Sequence, residues 1–509
     1  MSTPLLCSAV PGHAQVTAGS ACLSRASQSH SQTCVNDVVG ATPFMIEHVH
    51  DEPGRSNNGY VEDVVGATPV HGSKQDEFDS SVADVVLAAD AMHDTEFNAA
   101  QLTPAPFLGA PVAGLSPCEE KIMNFTTATM SDNIMFDKEL TLDKDLVEAL
   151  EWNATNSNDT IVAAQEHMMS QIEKQAACCF KKGQCAEWLN GCCPVIQKIS
   201  ADVCGPVLQK LAEIAQHGDS TAPDLLRFGG PLVGKLPLTG NGTAFSSPKP
   251  ECVDDVWHNR REANRELLEK LKEDKHSWFL MEQCTADAKL HRMAVPVPLC
   301  KQADCDSRLA PGFCVEQGVK NDGSVKLRAI YDFSRSQVNA CTESAERLHY
   351  DNIDALYELI KTFVQRSRPV QLWKADVDAA YRRVPIKPEH RWAAGVTFAH
   401  QGITYISSHF AFPFGAKSAV HAWDRIGSLL TSIARRILHL PVLRFVDDFY
   451  SAAPEHCAEH SMNIFARLVR CLLGPSAVAA AKLQFGLPLL ILGLDIHVDN
   501  RGLPLCSRR

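Results

Sequence analysis

From about residue 141 onward the chain runs through two rhythms of hydrophobic and polar positions, and residues 1 to about 140 show neither. Apolar residues at Leu146, Leu150 and Trp152, then from Ile161 to Ile172 and from Val195 to Ile214, recur at helical spacing and predict a small helical module over 141–217. Residues 218–256 are punctuated by Gly229, Gly230, Pro231, Pro237 and Pro248, the chemistry of a linker or extended strap. A charged helix is expected from Trp257 to about Glu282, because Glu and Lys/Arg stand four apart along it. Helices are then expected over Asn352–Phe363, Ala419–Leu438 and Cys457–Leu473. Between and after them come strands over Gln371–Val377, Val442–Val446 and Leu489–Ile496. The mixture implies an α+β domain over 257–509.

The first 140 residues are rich in Ser, Thr, Ala, Gly, Asn and Asp, with few aromatics, so they bury too little surface to offset the entropy of ordering. We expect them to be mostly disordered. Within them Val35 to Pro43 (VNDVVGATP) recurs as Val61 to Pro69 (VEDVVGATP). Two copies are too few for a stacked repeat architecture and read as a duplication or a short interaction motif.

Composition changes this picture through charge. Residues 1–256 carry 14 Lys+Arg against 33 Asp+Glu, and residues 257–509 carry 34 against 27, giving −19 and +7, together the chain's −12. The basic half is where a polyanion would dock. Nineteen cysteines, an odd number scattered along a chain without a secretory leader pattern, point to an intracellular protein with reduced thiols. The longest strongly apolar stretch, Gly486 to Leu494, is far short of the ~18 residues a membrane span needs, so no membrane partner is expected. Cys178, Cys179, Cys185, Cys192, Cys193 and Cys204 lack zinc-ribbon spacing and a histidine at ligand interval; buried or free thiols are the expectation.

Chemistry concentrates at two acidic sites 71 positions apart. Trp373 to Tyr381 (WKADVDAAY) carries Asp376 at a strand end. Leu443 to Tyr450 (LRFVDDFY) reads as a hairpin with Asp447 and Asp448 at its tip. Carboxylates on neighbouring strands can cradle two divalent cations about 3.5–4 Å apart, the arrangement that phosphoryl transfer to a hydroxyl uses. Magnesium suits such hard oxygen ligands, and manganese can take the same place. The chain contains its own control in Val253-Asp254-Asp255-Val256, which has no partner elements and is expected to be a surface turn.

Over about Pro311 to Asn500 the sequence resembles the reverse transcriptases of retroviruses and long-terminal-repeat retrotransposons, with several motifs in the family's order. Lys326 to Ser334 (KLRAIYDFS) is similar to the fingers hairpin, which implies that Lys326 and Arg328 bind the incoming triphosphate, with Lys320 assisting. Asp376 matches the first metal aspartate, and Tyr381 falls on the aromatic gate that rejects a ribose 2′-hydroxyl. Phe412 to Ser418 (FPFGAKS) resembles the loop that packs on the nascent base pair and brings in Phe414, Gly415 and Lys417. Phe445 to Asp448 matches the second metal motif, and Lys482 with Leu492 to Ile496 is similar to the closing palm strands and primer grip.

The resemblance implies a right-hand palm and fingers, an antiparallel sheet with helices on one face, preceded by the helical module and the disordered region. It further implies an RNA-directed DNA polymerase that uses dNTPs, an RNA or DNA template with its primer, and two magnesium ions on Asp376, Asp447 and Asp448. Ala379 stands where many relatives carry a second Asp, and Val420 where many carry Pro. With the chain ending at Arg509, a thumb, a connection domain and a ribonuclease H domain are expected to be missing. The competing expectation is therefore a catalytically silent or truncated nucleic-acid-binding protein derived from such an element.

Overall fold

A computed structural model describes residues 141–240, 242–245, 249–299, 306–319 and 323–498, together with the backbone of 504–508. The expected disordered region, its repeat and Lys320 lie outside the described residues.

Among the described residues six helices come first: α1 (Lys144–Thr155), α2 (Asn158–Lys181), α3 (Gln184–Trp188), α4 (Pro194–Ile199), α5 (Gly205–Ile214) and α6 (Asp224–Phe228). Ser157 caps α2 by accepting the Thr160 amide at 3.2 Å. Prolines in the first turns of α4 and α5 forgo a donor that no intrahelical partner could use. The expected charged helix over 257–282 is instead three helices, α7 (Val253–His258), α8 (Arg260–Glu269) and α9 (Ser277–Lys289). The break has a local cause: the Asp274 carboxylate accepts the His276 amide at 2.8 Å, and its carbonyl accepts the Ser277 amide at 3.0 Å, a turn that competes with helix. Val253 to Val256, expected as a surface turn, is the first turn of α7. Its two exposed aspartates face the positive end of that helix, while Val256 is buried.

Strands β1 (Val297–Pro298), β2 (Leu309–Val319) and β3 (Val325–Tyr331) follow, then α10 (Ile353–Gln365), β4 (Val370–Asp376), β5 (Gly395–His400) and β6 (Ile403–Ser408). After these come α11 (Lys417–Arg436), β7 (Leu443–Phe445), β8 (Asp448–Pro454), α12 (Ala458–Leu473) and β9 (Leu483–Gly486). The expected strand over 489–496 is a hairpin, β10 (Leu489–Ile491) and β11 (Leu494–Val498), with β12 (Pro504–Arg508) added to it. Leu492 and Gly493 turn at φ 47° and 81°, the left-handed pair a two-residue hairpin loop requires.

Mixed helix and sheet, with mostly antiparallel pairing, describes the result. A five-stranded sheet runs in the order β1-β6-β5-β2-β3, with only β2 and β5 parallel. A four-stranded antiparallel sheet runs β7-β8-β4-β9.

Alternation along β4 and β8 explains how the second sheet is packed. Trp373, Ala375, Phe449 and Ala453 face α12, where Phe465 lies 5.7 Å from Trp373 and 4.7 Å from Phe449, ring centre to ring centre. Val370, Leu372, Tyr450 and Ala452 face the other way, onto Leu356, Leu359 and Phe363 of α10 and Leu146 and Leu150 of α1. Helices thus cover both faces rather than the single face expected, because the large apolar residues Leu372 and Trp373 at the middle of β4 point to opposite faces and both are buried.

Residues of α2, α3 and α5 share one hydrophobic core with β4, α11 and α12. Asp219 and Arg425, both buried, form a two-bond ion pair at 2.6 and 2.9 Å that ties the start of the 218–256 segment to α11. Leu225, Leu226, Leu232 and Val233 then bury this segment against the same core as a packed strap. No helix among the described residues is long and apolar enough to cross a membrane.

Helices α3 and α5 meet at a glycine. A Cβ on Gly205 would lie 2.2 Å from the Trp188 ring, itself buried. Gly205→Ala should therefore destabilise the protein by about 1–3 kcal/mol. A lowered urea midpoint is the expected readout, and an unchanged midpoint would mean that the ring moves freely.

Candidate active site

The acidic cluster is built by strand register. In the β7–β8 hairpin Phe445 pairs with Asp448, leaving Val446 and Asp447 as the two-residue turn. Asp448 in turn pairs with Asp376 across β8 and β4. Directly opposed residues of an antiparallel pair share a face, with Cβ atoms roughly 5 Å apart. The Asp447 carbonyl accepts the Val377 amide at 3.2 Å, which binds the turn to the end of β4. Asp376 is therefore a neighbour of Asp447 and Asp448 despite the 71 positions between them. Lys374, on the same face two residues before Asp376, donates to the Leu490 carbonyl at 2.7 Å.

The turn is strained, and its anchor is specific. Val446 adopts φ 59°, a left-handed conformation that costs a β-branched residue on the order of 1–3 kcal/mol. Its carbonyl accepts two bonds, from the Trp423 indole at 2.9 Å and from the Arg444 guanidinium at 3.2 Å. Arg444 also donates to Asp424 at 2.6 Å and lies over the Tyr350 ring at 5.1 Å. Asp424 is 1% exposed and Arg444 5%, so neither charge has water as an alternative partner.

The electrostatics follow from crowding. Withdrawal from water and the charges of Asp376 and Asp448 push the Asp447 carboxyl up to about 7. The same withdrawal and Asp376 push Asp448 up to about 6. Asp376 is held by Lys482, whose ammonium lies 2.5 Å from one of its oxygens and 3.8 Å from Asp378. Burial opposes the charge on Lys482, but its bond to Asp376 and the surrounding carboxylates outweigh that and hold its pKa above the usual lysine range.

Among the described residues no three His, Cys, Asp or Glu side chains are already arranged as a metal cage. The donor set still fits a divalent cation in kind: hard oxygens, all carboxylate, with two of them protonating too easily for want of positive charge.

The nucleotide side of the expected site assembles beside this cluster. Tyr381 is buried, stands 5.3 Å from the Phe414 ring at a 58° tilt, and is held above its usual pKa by burial and by Asp447 nearby. The Arg328 guanidinium lies 5.4 Å from the other partner of that pair, the Phe414 ring. Arg328 sits on β3 opposite Val315 of β2. Gly415, at φ 98°, brings its backbone so close to β3 that a Cβ would lie 2.2 Å from the Tyr331 carbonyl. Asn339 clamps this loop, donating to the Gly415 carbonyl at 2.9 Å and accepting the Lys417 amide at 2.8 Å.

Two expected residues stand apart. The Lys417 ammonium points inward to the Thr342 carbonyl at 2.9 Å, and burial lowers its pKa. Lys326 is exposed on β3. Conversely, Trp423, Asp424, Arg444, Lys374 and Asn339 emerge only from the structure. An arginine inside the apolar run Leu443-Arg444-Phe445-Val446 was the visible signal that a buried partner existed.

No known protein-family profile and no curated protein matches the chain. Among solved structures it is similar to a foamy viral protease-reverse transcriptase in complex with an RNA/DNA hybrid, at 15% identity and a TM-score of 0.32 over 52% of this chain and 30% of that one. It is also similar to the foamy viral protease-reverse transcriptase dRH in complex with ds DNA, at 16% identity and a TM-score of 0.32 over 57% and 46%. The chain spans less than half the length of either, and a likeness this loose supports no argument about function.

Removing one member of the buried pair strands the other. Asp424→Leu or Arg444→Met alone should cost about 3–5 kcal/mol, and the double variant should recover most of the loss. Additive losses in a double-mutant cycle by urea unfolding would show that the two charges act independently.

A second expectation concerns pH. Asp447 and Asp448 bind protons more tightly in the folded chain than at the ordinary value of 3.8, so stability should fall as pH rises from about 4 to about 7 and level off above. Asp447→Asn should flatten that slope by on the order of 1–2 kcal/mol between pH 5 and 8. An identical slope in the variant would assign the dependence to other groups.

Proposed function

We propose that residues 257–509 form the fingers and palm of an RNA-directed DNA polymerase domain of a retroelement, transferring a nucleotide from a dNTP to a primer 3′-hydroxyl. The observation that carries this reading is the register that sets Asp376 opposite Asp448, with Asp447 in the adjoining turn. Asp376, Asp447 and Asp448 would hold the two magnesium ions, which when bound lower the pKa of the attacking hydroxyl and neutralise the leaving pyrophosphate. Lys482 would release Asp376 as they enter.

The remaining residues bind and select. Arg328 offers a forked guanidinium to the triphosphate, and Phe414 braces it. Tyr381, buried with its ring 5.3 Å from Phe414, would exclude a 2′-hydroxyl. Gly415 fixes the loop against β3 without a side chain in the way. Template and primer, RNA or DNA, would lie along the basic half of the chain.

One observation favours the second reading, a catalytically silent nucleic-acid-binding protein. Lys482 already supplies Asp376 with a cation of the chain's own.

Primer extension by the full chain on an RNA template separates the two readings. The first predicts magnesium-dependent dNTP incorporation that Asp447→Ala reduces at least a hundredfold. Tyr381→Ala should admit ribonucleotides, and Arg328→Ala should raise the KM for dNTPs ten- to a hundredfold, about 1.4–2.8 kcal/mol. Binding of primer-template without incorporation under magnesium or manganese would establish the silent protein instead.

A further inference from the structure

Three buried cysteines of the N-terminal helices stand in contact, and nothing proposed above uses them. Cys185, on α3, donates its thiol to Cys204 across 3.7 Å. Cys204, the residue before α5, also lies beside Cys179 near the end of α2 and interacts with it electrostatically. Their exposures are 4%, 0% and 5%, so a chain of three thiols runs through the interior from one helix to the next. The other buried thiols among the described residues are differently placed: Cys284 contacts the Tyr331 hydroxyl at 3.3 Å, Cys341 the Cys252 carbonyl at 3.9 Å, and Cys457 the Asn158 carbonyl at 3.9 Å.

We propose that Cys179, Cys185 and Cys204 form an oxidisable site in which Cys204 is the shared partner of either of two disulfides, with a small hydroperoxide as oxidant. The geometry carries the argument. A disulfide has sulfurs about 2.05 Å apart, so Cys185 and Cys204 need approach by only roughly 1.7 Å. Because Cys204 neighbours both Cys185 and Cys179, a bond made to one can pass to the other by exchange without an outside thiol.

The residues divide the chemistry. The neighbouring Cys204 thiol, against burial and with help from Lys182, lowers the Cys179 thiol from its ordinary value, so of the three Cys179 is the one that gives up its proton most readily. Burial instead raises Cys185. Cys179 attacks one peroxide oxygen: an S–O bond forms, the O–O bond breaks, and the departing hydroxide takes a proton to leave as water. Cys204, giving up its proton, attacks that sulfur; the S–S bond forms and the S–O bond breaks, and the proton goes out with the hydroxide as a second water. Two thiols and one hydrogen peroxide become one disulfide and two waters. Attack of Cys185 on the Cys204 sulfur then moves the bond to Cys185–Cys204 and returns Cys179 as a thiol.

The site bears on the rest of the fold through one bond. The Cys204 amide donates to the Leu472 carbonyl at 3.0 Å, at the end of α12, the helix that backs the four-stranded sheet.

The test is to expose the full chain, fully reduced, to hydrogen peroxide, block remaining thiols with iodoacetamide, and map cross-linked peptides by mass spectrometry. The expected result is a disulfide joining Cys204 to Cys179 or Cys185, while Cys284 and Cys457 stay reduced. Cys179→Ser should slow its formation at least tenfold and leave only the Cys185–Cys204 product. Cys185→Ser should leave only Cys179–Cys204, so the two variants check each other if one folds poorly. Cys204 recovered as free thiol, or sulfinic acid at Cys179 with no cross-link, would overturn the proposal.

Discussion

The arrangement of the acidic cluster depends on a carbonyl that has been paid for elsewhere in the fold. Val446 turns through a conformation its side chain disfavours, and the Trp423 indole and the Arg444 guanidinium hold it there. Arg444 can do this only because Asp424 balances its charge in the interior. A second polar knot lies behind the first. Asp351 accepts the Arg444 amide at 2.8 Å and the Arg435 guanidinium at 3.0 Å, and its own carbonyl receives the Tyr450 hydroxyl at 3.0 Å. The hairpin is thus fixed from α11 on one side and from the residue preceding the α10 cap on the other. Buried ion pairs contribute little net stability, but they discriminate strongly against any register that separates the partners. Here the register they protect is the one that sets Asp448 opposite Asp376.

Several elements were legible from the amino-acid pattern because one local rule governed them. Helices α10, α11 and α12 show continuous amphipathic spacing, and each lies within a few residues of where that spacing ends. The hairpin bearing Asp447 was legible because apolar residues flank two adjacent acids. The misreadings share a different cause. The hairpin of β10 and β11 is hidden because β10 runs without a polar residue into its turn and the turn residue Leu492 carries no turn signature. The breaks among α7, α8 and α9 come from side chains such as Asp274 capturing backbone amides, which a charge pattern does not reveal. Partnerships between residues far apart in the chain, such as Asp219 with Arg425 or Lys417 with Thr342, have no local signal at all.

The helices before residue 218 belong to the same packing problem as the sheet. Arg467 on α12 reaches Glu166 and Glu173 on α2 at 2.6 Å each, and Trp152 on α1 stacks on His439 just past α11 at 4.6 Å. Without α1 and α2, the outer surfaces of α10 and α12 would be apolar and open to water, at a cost of about 25 cal/mol for each Å² exposed. The sheet and its N-terminal helices therefore form one cooperative unit by ordinary core burial.

The contact between Gly415 and Tyr331 has a mechanical consequence. Arg328 lies three residues before Tyr331 on the same strand, and Phe414 immediately precedes Gly415, so the guanidinium and the ring are carried by two backbones pressed together with no side chain as a cushion. Tilting the β2–β3 ribbon would drag the 412–418 loop with it, as a lever drags its fulcrum plate. The spacing of Arg328 and Tyr381, which both lie against the Phe414 ring, is therefore geared to the ribbon's angle rather than adjustable by either residue alone.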